Sequence, residues 1–151
     1  HQLHRRQRQM CIRDSIEPGK GGCHTRNGTL LNHWSISHTD HGAVAVKSTG
    51  PYPIGVDMEP KSRLVDMGAL DQIATEDVKK QTPYPTNLET WMAIEAVSKA
   101  TGYGLSISRE ISYSKGVWKL RGESWKVDFE QRLVGGVYHL VSIARLITEA
   151  P

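Results

Sequence analysis

Apolar positions along the chain fall into short runs whose period changes from one end to the other. Before residue 27 there is no period. HQLHRRQRQMCIRDS is polar and Arg-rich, and residues 16–28, with Gly19, Gly21, Gly22 and Gly28, read as loop. Order is expected from about Leu30, where LLNHWSISHT leads into AVAV at 43–46. Past Gly50-Pro51 and Pro53 comes IGVDME at 54–59, and the two apolar runs on either side of that turn read as neighbouring strands. From Leu64 to about Lys80, Leu64, Met67, Leu70, Ala74 and Val78 share one side of a helical wheel, which predicts a helix with Gly68 inside it, ended by Pro83 and Pro85. A second helix, capped by Thr86 or Asn87 and stopped at Gly102, carries the run WMAIEAV. After Gly104 the pattern predicts a strand at 105–108 and a strand or hairpin around 117–120. Alternation follows in Trp125, Val127 and Phe129, then a last apolar run, VYHLVSIA, at 137–144. Strands, then helices, then more strands describe an α+β domain over residues 27–151, preceded by a disordered basic leader, 1–26, whose first stretch resembles a spurious, non-native leader translation. The chain has no internal repeat and no low-complexity tract.

Charge sharpens that division. The 151 residues carry a net charge of +3, but residues 1–26 hold six of the 19 Lys and Arg against two acids, leaving 13 against 14 in the remainder, a net charge of −1. Nucleic-acid binders usually spread a basic surface over the folded domain, so no nucleic-acid partner is expected. With 38% hydrophobic residues the chain can bury one core without disulfides. Cys11 and Cys23 form no metal-binding spacing, the start lacks the apolar stretch of a secretion signal, and no run approaches the roughly 20 apolar residues that cross a bilayer. A cytoplasmic protein without membrane association is the expectation.

Two places carry chemistry. On an extended strand, side chains at i and i+2 share a face, so Asp57 and Glu59 project together while Val56 and Met58 face the other way. Two adjacent carboxylates repel unless a cation lies between them, and an all-oxygen pair suits a hard ion such as magnesium. A solvated pair at a strand end satisfies the same spacing. The second place is Glu95, the only charge in WMAIEAV, a run apolar on every other side as expected of a buried helix. Its partner is either Lys99 at i+4, in a surface pair worth roughly 0.3–0.5 kcal/mol, or a cation supplied from elsewhere.

Four motifs, in order, give these places a context. They are Ser35-Ile36-Ser37-His38, then Gly55-Val56-Asp57-Met58-Glu59, then the helix from Trp91 through Glu95-Ala96 to Lys99, then Gly102-Tyr103-Gly104-Leu105. The series resembles the SxSH, GxDxE, WxxKEAxxK and GxGL elements of the Sfp-type 4'-phosphopantetheinyl transferases, over roughly residues 27–144. The small trimeric holo-acyl-carrier-protein synthases place their aspartate motif near the start of the chain, whereas here SISH precedes it.

The resemblance implies a 4'-phosphopantetheinyl transferase-like fold, with the first part of the usual N-terminal half missing. It implies magnesium held by Asp57, Glu59 and Glu95 against the pyrophosphate of coenzyme A, with an apo acyl or peptidyl carrier protein as partner. Glu95 would be the general base, Lys99 would stabilise phosphate charge, and Ser37 and His38 would contact the 3'-phosphate of coenzyme A. Ile94 stands where the family has a lysine, and the family's Gly-Lys-Pro ahead of the serine-histidine element has no clear match. His33 and His41 fit surface or core roles, and His38 with His41 lacks further ligands at metal-binding spacing.

Overall fold

The computed structural model describes the backbone of residues 16–19, 22–25 and 33–148, and the side chains of 33–148. Nine strands and three α-helices follow in the order β1 (Ile16–Gly19), β2 (Gly22–Thr25), β3 (Trp34–Thr39), β4 (Gly42–Lys47), β5 (Ile54–Pro60), α1 (Met67–Ile73), α2 (Glu76–Gln81) and α3 (Asn87–Thr101). A 3₁₀ turn (Gly104–Glu110) leads to β6 (Ser112–Ser114), β7 (Val117–Leu120), β8 (Glu123–Val134) and β9 (Val137–Leu146). This is the mixed α+β architecture expected. Residues 1–15 of the expected leader lie outside the described residues.

Five strands form one antiparallel sheet in the order β5-β9-β8-β7-β6. Its hairpin turns are Lys115-Gly116, Arg121-Gly122 and Gly135-Gly136, with positive φ at both residues of each, the geometry whose twist matches paired strands. β3 and β4 pair in a separate hairpin around Asp40 and His41, and β1 pairs with β2.

Several elements differ from the sequence pattern. Residues 16–19 and 22–25 are paired strands rather than loop, because backbone pairing requires no apolar alternation. The runs at 43–46 and 54–59 are not hydrogen-bonded partners: β4 folds back onto β3, and β5 pairs with β9, Ile54 opposite Arg145 and Glu59 opposite Leu140. A two-residue loop makes the β3–β4 pairing local, whereas β5 reaches a partner far along the chain. The single helix expected over 64–80 is two. Asp66 caps α1 by accepting from the Ala69 N–H, Ala74 and Thr75 are extended, and Thr75 caps α2 by accepting from the Val78 N–H. Capping side chains thus outcompete one continuous ladder. Leu70, Ala74 and Val78 are buried as expected, but Leu64 precedes α1 and is 94% exposed. The segment 105–108 is 3₁₀ rather than strand, and the Ser106 hydroxyl donates back to the Tyr103 carbonyl. α3 matches its expected limits, with Thr86 as N-cap and Gly102 in the left-handed conformation at its end.

One face of the sheet is covered by helices, and the other is covered at its β5-β9 end. On one, α3 packs Ala93, Ile94, Ala96, Val97 and Ala100 into a core with Trp118, Trp125, Ala144 and the apolar residues of α1 and α2. On the other, Ile54, Val56, Met58, Val141 and Ile143 form a second cluster against Val44 and Val46 of β4 and Val134 of β8.

Candidate metal centre

The centre forms where β5 meets α3. Gly55 faces the helix so closely that a Cβ there would overlap the Ala96 carbonyl oxygen and lie 2.6 Å from the Ala100 nitrogen. Only glycine lets helix and strand backbones approach this far. The consequence is two residues along. Asp57 and Glu59, on the same strand face as Gly55, are carried against Glu95 and Lys99, one turn apart on α3. One carboxylate oxygen from each of Asp57, Glu59 and Glu95 lies within 4.8 Å of the others, the one such group among the described residues. Ser142, opposite Asp57 on β9, donates to the Met92 carbonyl at 3.0 Å and ties helix to sheet beside the cluster.

The third wall is β3, which lies along the outer edge of β5. Ser35 and Ser37, on one face of β3, accept the Val56 and Met58 N–H groups, each at 3.0 Å. Their hydroxyls thereby satisfy backbone donors that a neighbouring strand's carbonyls would otherwise take. Ser37 also donates to Asp57 Oδ1 at 3.1 Å. Lys99 Nζ donates to the same oxygen at 2.6 Å and to Ser37 Oγ at 3.3 Å, and stands 4.0 Å from Glu95 Oε2. The principal partner of Lys99 is therefore Asp57 across the interface, not Glu95 on its own helix.

Burial and mutual repulsion set the protonation states. Burial pushes the Asp57 carboxyl up, but the charge and hydrogen bond of Lys99, with hydrogen bonds from Glu95 and Ser37, hold it below its ordinary value. Glu95 goes the other way: burial first, then the charge of Asp57, push it up to about 8 against the opposing pull of Lys99. Glu59 is raised by burial and by Asp57, despite Arg63 and Lys99. For Lys99, burial favours the neutral amine, but Asp57 and Glu95 outweigh it and raise its pKa. Glu95 thus holds its proton to higher pH than an ordinary carboxyl, while Asp57 beside it stays ionised to lower pH.

A hard cation suits this arrangement. Asp57 is 2% exposed, and its Oδ2 is buried without a hydrogen-bond partner among the described residues. Such an atom is costly unless something positive reaches it. With Glu59 and Glu95 beside it, the donor set is all oxygen, as magnesium prefers.

The residues expected from the sequence are thus divided. Asp57, Glu59, Glu95 and Lys99 come together. Ser37 adjoins them, with its hydroxyl committed to Met58, Asp57 and Lys99, while His38 lies on the opposite face of β3 and lines an adjacent cleft. Burial, then Lys99, lower the His38 imidazole below its usual value, and Asp40 offsets part of this. His41 is exposed and packs edge-on against the buried His139, 5.3 Å between ring centres. Ile94 is wholly buried in the core under α3. The pattern gives no sign of Arg63, which pairs with Glu59 and lies over Trp91. An arginine four residues after a glutamate at the end of a strand has no periodic signature.

No family model matches this chain, and no curated protein or solved structure matches it. No described helix is long and apolar enough to cross a membrane.

Proposed function

We propose that this chain is an Sfp-type 4'-phosphopantetheinyl transferase, which moves the phosphopantetheine arm of coenzyme A to a serine of an apo acyl or peptidyl carrier protein. The observation that carries this reading is the convergence of Asp57, Glu59 and Glu95 within 4.8 Å, beside Lys99. These are the acidic and basic positions of two motifs that lie far apart in sequence, and the resemblance predicts one site from them. The fold proposed is accordingly the 4'-phosphopantetheinyl transferase-like one, and the compartment the cytoplasm.

Asp57, Glu59 and Glu95 are the residues that would hold magnesium, which when bound supplies positive charge to the pyrophosphate oxygens of coenzyme A. Asp57 is kept ionised and oriented by Lys99 and Ser37. In its ionised form, which the Lys99 charge and a bound cation favour, Glu95 takes the proton from the carrier serine hydroxyl as its oxygen bonds to the β-phosphorus. The bond from that phosphorus to the bridging oxygen breaks, and 3',5'-ADP leaves with the electron pair. The Lys99 ammonium holds positive charge next to the reacting phosphate. His38, on the cleft wall, contacts the 3'-phosphate of coenzyme A.

Incubation of the protein with apo carrier protein, coenzyme A and magnesium is expected to add one phosphopantetheine arm, read by intact mass. Glu95→Gln is expected to abolish the gain. No mass change at high enzyme concentration rejects the transferase reading. A second reading rests on Ile94, which is locked in the core where the family has a lysine: a member that binds carrier protein or coenzyme A without turnover. Calorimetric binding of coenzyme A without transfer would select it.

A further inference from the structure

Arg63 has no part in the chemistry above, yet it connects the metal centre to the cleft beside it. It stands three residues beyond β5, and its guanidinium donates to Glu59 Oε1 and lies over the Trp91 ring of α3, 5.4 Å from the ring centre. Arg63 also lines a cleft of about 470 Å³ together with His38, Asp40, His41, Glu59 and Ser62. Among the residues lining this cleft, arginine alone is positive at every accessible pH. Glu59 belongs to both places: one of its carboxylate oxygens is part of the trio, and the residue also lines the cleft.

A cation held by the trio and the Arg63 guanidinium therefore both draw on the Glu59 carboxylate. We propose that Arg63 is an exchangeable counter-ion. It neutralises Glu59 when the trio lacks a cation; once a divalent ion takes Glu59, it turns into the cleft and binds a phosphate oxygen of a diphosphate-bearing ligand. The inference rests on the reading of the trio as a metal site and adds the residue that couples metal binding to diphosphate binding.

The local structure permits this exchange. Residues 61–66 have no regular structure, and their backbone is anchored at both ends of the turn, Lys61 N–H to the Tyr138 carbonyl and Arg63 N–H to the Pro60 carbonyl. Only the side chain has to move, and it is 38% exposed. The Trp91 face holds the guanidinium where it pairs with Glu59, while the planar fork of arginine suits a phosphate as well as a carboxylate. By linkage, a cation that releases Arg63 strengthens diphosphate binding, and diphosphate strengthens cation binding equally.

The test uses the full chain with two probes: manganese alone, followed by electron paramagnetic resonance, and magnesium with inorganic pyrophosphate, followed by calorimetry. Arg63→Ala is expected to tighten manganese about threefold, because a competing charge of exposed-ion-pair strength is gone. The same variant is expected to weaken magnesium pyrophosphate by about tenfold or more, the loss of a charge-assisted hydrogen bond. Arg63→Lys is expected to leave manganese near wild type and still weaken pyrophosphate, because it keeps the charge and loses the fork. A purely structural arginine would move both affinities in the same direction, and that result, or unchanged pyrophosphate binding in Arg63→Ala, overturns the proposal. If the wild-type protein binds no manganese, or binds it equally well as Asp57→Asn, the metal reading itself falls and the exchange falls with it. That failure appears before any Arg63 variant is made, so the two are distinguishable.

Discussion

The two faces of β5 are both buried from Ile54 to Met58 and differently built. Ile54, Val56 and Met58 point to one side and Gly55, Asp57 and Glu59 to the other, and Val56, Met58 and Asp57 are all at most 2% exposed. On the hairpin side the neighbours are Val44, Val46, Val141 and Ile143, whose contribution is volume. On the helix side most polar atoms have a specific partner, Lys99 and Ser37 for Asp57 Oδ1 and Arg63 for Glu59, while Asp57 Oδ2 has none among the described residues. The difference teaches that burial alone does not define the site. An apolar face tolerates changes that conserve volume, whereas the polar face depends on a single backbone distance, that between Gly55 and α3.

The strongest way to break the comparison is to enforce a wider gap on the helix side. Gly55→Ala drives a methyl into the Ala96 carbonyl and the Ala100 nitrogen, backbone atoms that cannot rotate away. The variant is expected to lose its cooperative unfolding transition in calorimetry and its affinity for manganese. A stable, metal-binding Gly55→Ala protein would show that the close approach is dispensable.

Met58→Ala probes the other face. Opening a cavity in the hairpin-side cluster is expected to cost about 2–5 kcal/mol in urea denaturation, with manganese affinity retained in whatever fraction is folded. Loss of metal affinity per folded molecule would mean that the two faces are not separable.

The pH dependence of the metal-free protein isolates the polar face. Glu95 has a folded pKa of about 8 against an ordinary 4.5, so its contribution to stability is complete below 4.5 and is lost as pH rises towards 8. The slope contributed by this one proton is at most about 1.4 kcal/mol per pH unit. Glu59, shifted upward as well, adds in the same sense. Asp57, shifted downward, acts with opposite sign and only in acid, its contribution fading as pH falls below 3.8. Denaturation midpoints measured from pH 5 to 8 should fall, and Glu95→Gln should flatten much of that fall. An unchanged slope in the variant would assign the titration elsewhere.

Ser35→Ala is the mildest of the set. It leaves the buried Val56 N–H without its acceptor and is expected to cost about 1–3 kcal/mol, without moving the Glu95 titration, since Ser35 bonds only the strand edge.

How much of this was legible in the chain follows from the range of each interaction. The caps at Thr86 and Gly102, the shared face of Asp57 and Glu59, and the isolation of Glu95 in a buried helix all come from geometry within a few residues, and each matches the structure. The helix expected over 64–80 failed on competition among local signals: its apolar spacing was sound at Leu70, Ala74 and Val78, but Asp66 and Thr75 begin new helices. Strand partners failed for a different reason. Nothing near IGVDME distinguishes β4 from β9 as its neighbour, because pairing across 79 to 91 residues is decided by which surfaces the whole sheet can bury.

By itself, then, the sequence determined which side chains share a face: Asp57 with Glu59 at a two-residue period, Glu95 with Lys99 at one helical turn. Tertiary structure decided that those faces meet. Docking of α3 on Gly55 brings Lys99 to Asp57, the hairpin supplies Ser37, and the turn after β5 swings Arg63 onto Glu59. The physical reason is that period is a property of a single element, set by backbone geometry, whereas partnership depends on distance between elements, set by how closely two surfaces pack.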